Sequence, residues 1–378
     1  MFGRMMNNYY YGKSGKGDFR KDDMPETRMQ LFWDTLKTRL AGLFRLNLLY
    51  MLVWLPAMIV ILVNAGNLWD RLQMQTAIMT YDYSEYVEEA QSKQIEVTIS
   101  EEDYIATRNT LLVLQDANYD AYLERIGDQS ENTLTQEQFQ YLRNNSATSV
   151  QNSILTLLMW LIPCIAITGP FTAGLSYVTR NWARDEHAFI WSDFRDAVKA
   201  NWKIPLVLST ITGILPAGLY AGWLTYGNMA TSNTIMVVPQ ALVALVGLLW
   251  ALMITYMHPL TVTYDLKLSG VLRNGFLLGV ARLPFSVGIR LLHCVPALIA
   301  FAAVWFFGLD VLMALVILCA YYMLIGFALS RFVTASYTNA VFDRFINSRI
   351  EGAKVNQGLR KPEDDYDEED ETEQETEE

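Results

Sequence analysis

Apolar residues fall into six long runs, Leu46–Val63, Ile154–Val178, Ile204–Tyr226, Thr234–Met257, Phe285–Phe307 and Val311–Leu329. Each is close to the roughly 20 residues that an α-helix needs to cross a hydrocarbon core about 30 Å thick. The pattern predicts an all-α, polytopic membrane protein with six transmembrane helices. Pro56 and Pro163 interrupt two of the runs, which a membrane helix tolerates where its neighbours cover the freed backbone groups. Ahead of the first, third and fifth runs lie basic amphipathic stretches. Their apolar stripes are Phe32, Leu36, Leu40 and Leu43; then Trp191, Phe194, Val198 and Trp202; then Leu268, Val271, Leu272 and Phe276. Such stripes predict helices lying in the membrane interface, apolar face down, with Lys and Arg at the headgroups.

The spans are therefore read as three hairpins, each preceded by one amphipathic helix on the cytoplasmic side. Two pairings support one repeated unit. A basic residue sits near an asparagine before each odd span, as Arg45/Asn47, Lys199/Asn201 and Arg273/Asn274. A hydroxyl–tyrosine pair recurs at or after each even span, as Ser176–Tyr177, Thr263–Tyr264 and Ser336–Tyr337.

Basic residues in short connections set orientation. They gather in the N-terminal arm and in the second-to-third and fourth-to-fifth connections, while Gly227–Asn233 and Gly308–Asp310 carry none. Both termini are thus predicted to be cytoplasmic. The chain divides into a Gly-, Tyr- and Lys-rich arm (1–28) and an interfacial helix with the first span (29–63). An acidic, mainly helical extracytoplasmic insertion (64–150), a five-span membrane domain (151–346) and a disordered acidic tail (347–378) follow.

Charge sharpens this division. The net charge of −11 conceals a cationic membrane part. Residues 64–150 carry 15 acidic and 5 basic groups, and residues 362–378 carry 12 acidic and no basic ones, so the remainder carries +11. No short apolar core with a small-residue cleavage site precedes the first span, so no cleaved signal is expected. All three cysteines lie in apolar runs, and no disulfide framework is expected in the insertion.

Candidate chemistry is sparse. No Gly-x-x-x-x-Gly-Lys-Ser/Thr loop and no Gly-x-Gly-x-x-Gly fingerprint is present, which argues against nucleotide hydrolysis by this chain. His187, His258 and His293 lack metal-ligand spacing, and no metal or cofactor is expected. The series Asp116, Asn118 and Asp120 has no glycine at the sixth loop position and Gly127 at the twelfth, so a calcium loop is rejected. Nucleic-acid binding is not expected. Arg290 and Arg331 lie near the cytoplasmic ends of their spans and are expected to snorkel to the headgroups. Intramembrane polar candidates are Asn47, Gln240 and His293, and the candidate partner-docking face is Trp191, Phe194, Lys199, Trp202 and Lys203.

Several segments together resemble the YesL-like family of bacterial membrane proteins, a family of unknown function. They are the glycine-bearing arm ending before Lys37, Arg45–Tyr50, the run Gly169-Pro-Phe-Thr-Ala-Gly174 continuing to Arg180-Asn181, and Ile190-Trp-Ser-Asp-Phe194 followed by Lys199-Ala-Asn-Trp-Lys203. Residues 64–150 lie outside the resemblance and look like an insertion into it. The resemblance implies a Gram-positive plasma-membrane protein that accompanies carbohydrate ABC importers, and it supplies no catalytic residue. The expected function is a non-enzymatic accessory or regulatory membrane protein that contacts permease subunits or the ATPase of an oligosaccharide importer. The alternatives are an independent transporter or channel of three hairpins, and a membrane scaffold or sensor for a signalling partner.

Overall fold

The computed structural model of the chain describes residues 24–94, 96–97, 99–115, 118–126 and 134–360. The N-terminal arm up to residue 23 and the acidic run from residue 361 lie outside them. The described residues form helices without strands, and six helical stretches are long and apolar enough to cross a bilayer. In chain order the helices are α1 (Arg28–Thr80), α2 (Tyr83–Ser92), α3 (Glu101–Gln115), α4 (Tyr119–Ile126), α5 (Gln136–Trp182) and α6 (Ile190–Asn201). They continue with α7 (Lys203–Ala230), α8 (Val237–Thr263), α9 (Leu268–Ala281), α10 (Leu283–Phe307), α11 (Val311–Tyr321) and α12 (Phe327–Phe345). A five-residue π-helical segment, Tyr322–Gly326, joins α11 to α12 within the last span.

Helix α1 departs from the expected hairpin unit. The amphipathic stretch, the first span and the start of the insertion form one 53-residue helix, about 80 Å long at 1.5 Å per residue. A capping box at Thr27 starts it: Gln30 N donates to Thr27 Oγ1 at 3.3 Å, and Thr27 N donates to Gln30 Oε1 at 3.0 Å. No glycine or proline separates Leu43 from Leu46, so nothing breaks the ladder between stripe and span. The stripe turns inward: Leu43 and Leu46 are buried with Tyr50, Trp182 and Phe332. The second stripe does form a separate helix, α6. The third, α9, lies along α8 instead of flat beneath the bundle, with Gly275 against Met257 and Gly279 against Leu252.

The insertion is carried on two helices that continue the first two spans. Helix α5 starts at a second capping box, Thr135 with Gln138, and α3 packs on both α1 and α5. Val113, Tyr122 and Phe139 form its small core. The tyrosines are used in packing: Tyr104 is buried against Tyr83 and Tyr86, and its hydroxyl donates to the Tyr81 carbonyl at 2.7 Å.

Two close approaches fix the central helices. A Cβ at Gly169 would lie 2.3 Å from the Pro205 carbonyl oxygen, and one at Gly174 would lie 2.8 Å from both a ring carbon and the carbonyl oxygen of Phe194. Helix α5 therefore meets α7 and α6 almost backbone to backbone. Small residues serve this purpose in membranes, where helices associate through packing and not through expulsion of water.

The face bearing both ends of the described chain is latched. Residues 347–360, which the sequence reading groups with the acidic tail, fold back onto the bundle. The Arg28 guanidinium pairs with Asp343 and donates to Asn356 Oδ1 at 2.9 Å. Asn356 N and Asn347 Nδ2 donate to Asp343 at 3.1 and 2.6 Å, Arg184 donates to Gln357 at 2.8 Å, and Arg360 N donates to the Pro25 carbonyl at 3.1 Å. Tyr264 joins this network through its hydroxyl, which donates to Asn347 Oδ1 at 2.7 Å.

Substituting Gly169 by Ala must push α5 from α7, at a cost of about 1–3 kcal/mol from overpacking. The unfolding temperature of purified Gly169→Ala in detergent should fall. Gly66→Ala, in open space on α1, should leave it unchanged or raise it. Burial first, and Asp343 second, hold the Tyr264 phenol up at about 12, against about 10 for a free tyrosine. Folding thus favours the neutral phenol, a contribution fully present below the free value and lost as pH rises through the folded one. Between about pH 9 and about pH 11.5 the unfolding temperature of Tyr264→Phe should decline less than that of the parent.

Candidate functional site

The five residues of the expected docking face divide into two groups. Phe194 is 5% exposed and packs under Gly174, which corrects its assignment as a contact residue: the inward face of α6 is needed to hold α5. Trp191 and Trp202 are 63% and 45% exposed. Lys199 is exposed, and Lys203 lies 5.8 Å from the Trp202 ring centre. A cavity of about 560 Å³ adjoins this face, between residues 200–205 and the turn at residues 261–266.

The three intramembrane polar candidates are not brought together. Gln240 lies in the first turn of α8 and its Nε2 donates to the Trp223 carbonyl at 3.4 Å, at the end of the bundle away from the latch. Asn47 serves the π-helical segment. Its Nδ2 donates to the carbonyls of Tyr322 and Met323 at 2.9 and 2.8 Å, and its Oδ1 accepts from Ala328 N at 2.9 Å. A π-helical turn leaves backbone groups without their usual i→i−4 partners. Asn47, fully buried, supplies those partners.

His293 lines a cavity of about 340 Å³ to which all six membrane-crossing stretches contribute residues. Its Nδ1 lies 2.6 Å from the Ile289 carbonyl within α10. Its Nε2 lies 2.9 Å from the Ser330 carbonyl and 3.2 Å from Thr334 Oγ1 on α12. The imidazole therefore ties the fifth span to the sixth. His258, Arg290 and Arg331 line the same space. Hydroxyl groups come from Thr168, Ser209, Thr212, Thr255, Ser330 and Thr334, and from Tyr50, which is held by a 2.6 Å bond to Thr172. Tyr322 and the side chains of Trp54, Ile165, Leu175, Ile254 and Phe327 complete the wall.

Position along the helices gives the depth. Counting from the end away from the latch, Tyr322 lies about 16 Å along the last span, and Arg331 and His258 lie about 30 Å along theirs, at 1.5 Å per residue. The cavity thus extends from mid-membrane to the latched boundary. Arg290 and Arg331 do not snorkel outward, as their nearness to the span ends suggests; both turn into the bundle. Arg331 bears electrostatically on Arg290, and both bear on the two imidazoles.

Among the described residues, neither guanidinium has a hydrogen bond or an ion pair, and no carboxylate lines the cavity. Arg290 Nε and His258 Nδ1 are buried without partners. Sequence reading missed this convergence. The signal available was one unpaired cation on each of two spans within a turn or two of the same boundary, together with a histidine on a third.

Outside the cavity, two tyrosine hydroxyls pair with each other between helices. Tyr256 OH lies 2.6 Å from Ser286 Oγ and 2.9 Å from Tyr337 OH, joining α8, α10 and α12. Arg180, which does not line the cavity, donates to the Val262 carbonyl at 2.7 Å and to Asn181 Oδ1. No group of three or more potential metal ligands occurs among the described residues.

A family model described as a protein of unknown function, DUF624, matches residues 151–223. The match covers the membrane part of α5, all of α6 and most of α7, including Gly169–Gly174 and Ile190–Lys203. No curated protein and no solved structure matches the chain.

Proposed function

We propose that this protein binds a polar solute in the intramembrane cavity and serves its passage across the bacterial plasma membrane, without catalysing a reaction on it. The observation that carries this reading is the convergence of two arginines, two histidines and a set of hydroxyls on one space of about 340 Å³ within the span region. Polar and ionisable groups inside a bilayer are costly and concentrate at substrate and ion pathways. In this reading both termini and the latch are cytoplasmic, in keeping with the excess of Lys and Arg in the connections on that face.

A second reading, an accessory subunit of a carbohydrate ABC importer as the YesL-like resemblance implies, draws support from α6. Its exposed Trp191 and Trp202, the neighbouring Lys199 and Lys203, and the adjacent 560 Å³ cavity offer an aromatic and basic surface to a permease subunit or ATPase.

Two measurements separate the readings. With the three native cysteines replaced, Ser330→Cys should be modified by a membrane-impermeant thiol reagent in inside-out vesicles and spared in right-side-out ones. Absence of modification from either side would mean a cavity closed to water and would sink the first reading. Stoichiometric recovery of permease subunits with the tagged protein in mild detergent, lost in a Trp191→Ala/Trp202→Ala variant, is the outcome expected of the second.

A further inference from the structure

We infer that Arg290, Arg331 and His258 form a binding site for a phosphomonoester dianion, presented either by a soluble phosphorylated compound or by a lipid headgroup. The inference deepens the solute-binding reading by naming the ligand class.

The argument begins with charge. Two guanidiniums line one cavity, and no carboxylate lines it with them. An arginine remains protonated even where burial disfavours its charge, since its intrinsic pKa exceeds 12. Two like charges held together within a low-dielectric bundle cost several kcal/mol each unless they are compensated. Arg28 is compensated by Asp343 and Arg180 by a carbonyl and an asparagine, while Arg282, whose Nε is buried without a hydrogen bond, lies over the Phe285 ring with its guanidinium carbon 4.1 Å from the ring centre. At Arg290 and Arg331 the compensation has to come from outside the chain.

Valence and geometry then narrow the class. A single carboxylate would neutralise one of the two cations, whereas a phosphomonoester carries close to two negative charges at neutral pH. Its three terminal oxygens suit the planar donor forks of two arginines. The donor set also has a place for a third contact: His258 is 4% exposed, faces the same cavity, and has Nδ1 without a partner. Thr255, on the preceding turn of α8, lines the same cavity and has a buried hydroxyl that no protein group engages.

Depth agrees with either source. The cations sit at the latched end of the cavity, the level at which lipid phosphates lie and from which a soluble phosphate would enter. The hydroxyl-lined remainder reaches mid-membrane and leaves room for what the phosphoryl group carries.

The test uses the full-length protein in phosphatidylcholine nanodiscs. Titration with inorganic phosphate, followed by the shift in unfolding temperature, should show saturable stabilisation if the source is soluble. Retention of phosphatidic acid in native mass spectrometry, from discs containing about one part in ten of it, should be seen if the source is a headgroup. In either case Arg290→Gln or Arg331→Gln should weaken the effect about tenfold or more, while Arg195→Gln, an exposed residue paired with Asp196 on α6, should not alter it. Arg290→Lys and Arg331→Lys keep the charge without the fork; they test the site if the glutamine variants fail to fold, and should bind more weakly than the parent.

Wild-type protein that binds neither probe overturns the inference, as does binding that the arginine variants leave unchanged. If that same protein binds a neutral oligosaccharide in a manner sensitive to Thr212→Trp, the solute-binding reading stands and only the ligand class fails. If it binds no probe at all and Ser330→Cys is unreactive from both sides, both fail.

Discussion

Inside a bilayer no water is at hand to satisfy a polar group released from its regular partner, and this constraint organises the structure. The last span contains a π-helical segment that frees two carbonyls and an amide, and one asparagine, Asn47 of the first span, meets all three. Tyr256, Ser286 and Tyr337 close a second set across three helices. His293 closes a third between α10 and α12. Each bond joins helices distant in the chain, so satisfying the polar groups also fixes how the spans are arranged. Exceptions occur among the buried polar atoms of the described residues, and those of Arg290, His258 and Thr255 line one cavity together with Arg331. In a membrane such exceptions mark function more often than structure.

The stretch matched by the family model plays a different part from the stretch that carries the charge. Residues 151–223 supply the glycine contacts at Gly169 and Gly174 and the buried face of α6. Their contribution to the cavity is apolar and hydroxyl-bearing: Ile165, Thr168, Leu175, Ser209 and Thr212. His258, Arg290, His293 and Arg331 all lie beyond residue 223. Similarity confined to residues 151–223 therefore speaks for a shared packing unit, a backbone contact that only glycine permits, and is silent about the ligand. A chain with the same packing unit and neutral residues at positions 290 and 331 would share the scaffold without the anion site.

Much of the fold was legible because spans are written in one dimension. Length and apolarity placed six crossings, and the boundaries differ from the observed helices mainly where a span runs on without a break. Helix α1 continues past Val63 to Thr80: Asn64–Asn67 contain no proline, and the weak helix formers Asn64, Gly66 and Asn67, at up to about 1 kcal/mol each, do not stop it. The third amphipathic stretch was misjudged because small residues on one side, Gly275 and Gly279, let α9 lie against α8. An apolar stripe reports that a face is covered and does not say whether lipid or protein covers it. The same ambiguity hid Phe194, whose place in a Trp-rich stripe looked interfacial and proved internal. For the candidate site, sequence gave the depth of each polar residue and not its direction around the helix axis. Asn47, Gln240 and His293 all lie on membrane-crossing helices, yet only His293 reaches the cavity.

Direction around the axis is also where Asn47 acquires its importance. A π-helical turn takes in one more residue than the α-helical turn it replaces. Every residue after it is displaced by one position, about 100° of rotation about the helix axis. Arg331 lies just after Tyr322–Gly326. Were the last span α-helical throughout, the residue turned toward Arg290 and His258 would be a neighbour of Arg331, and the guanidinium would point toward other helices or lipid. The bulge is held open by Asn47, whose three bonds exist only while it persists. A residue that does not itself line the cavity thus sets which side chain enters it. A helical wheel drawn from sequence, with a uniform 3.6-residue period, places Arg331 on the wrong face for this reason, and the pair of arginines becomes visible only once the irregular turn is in place.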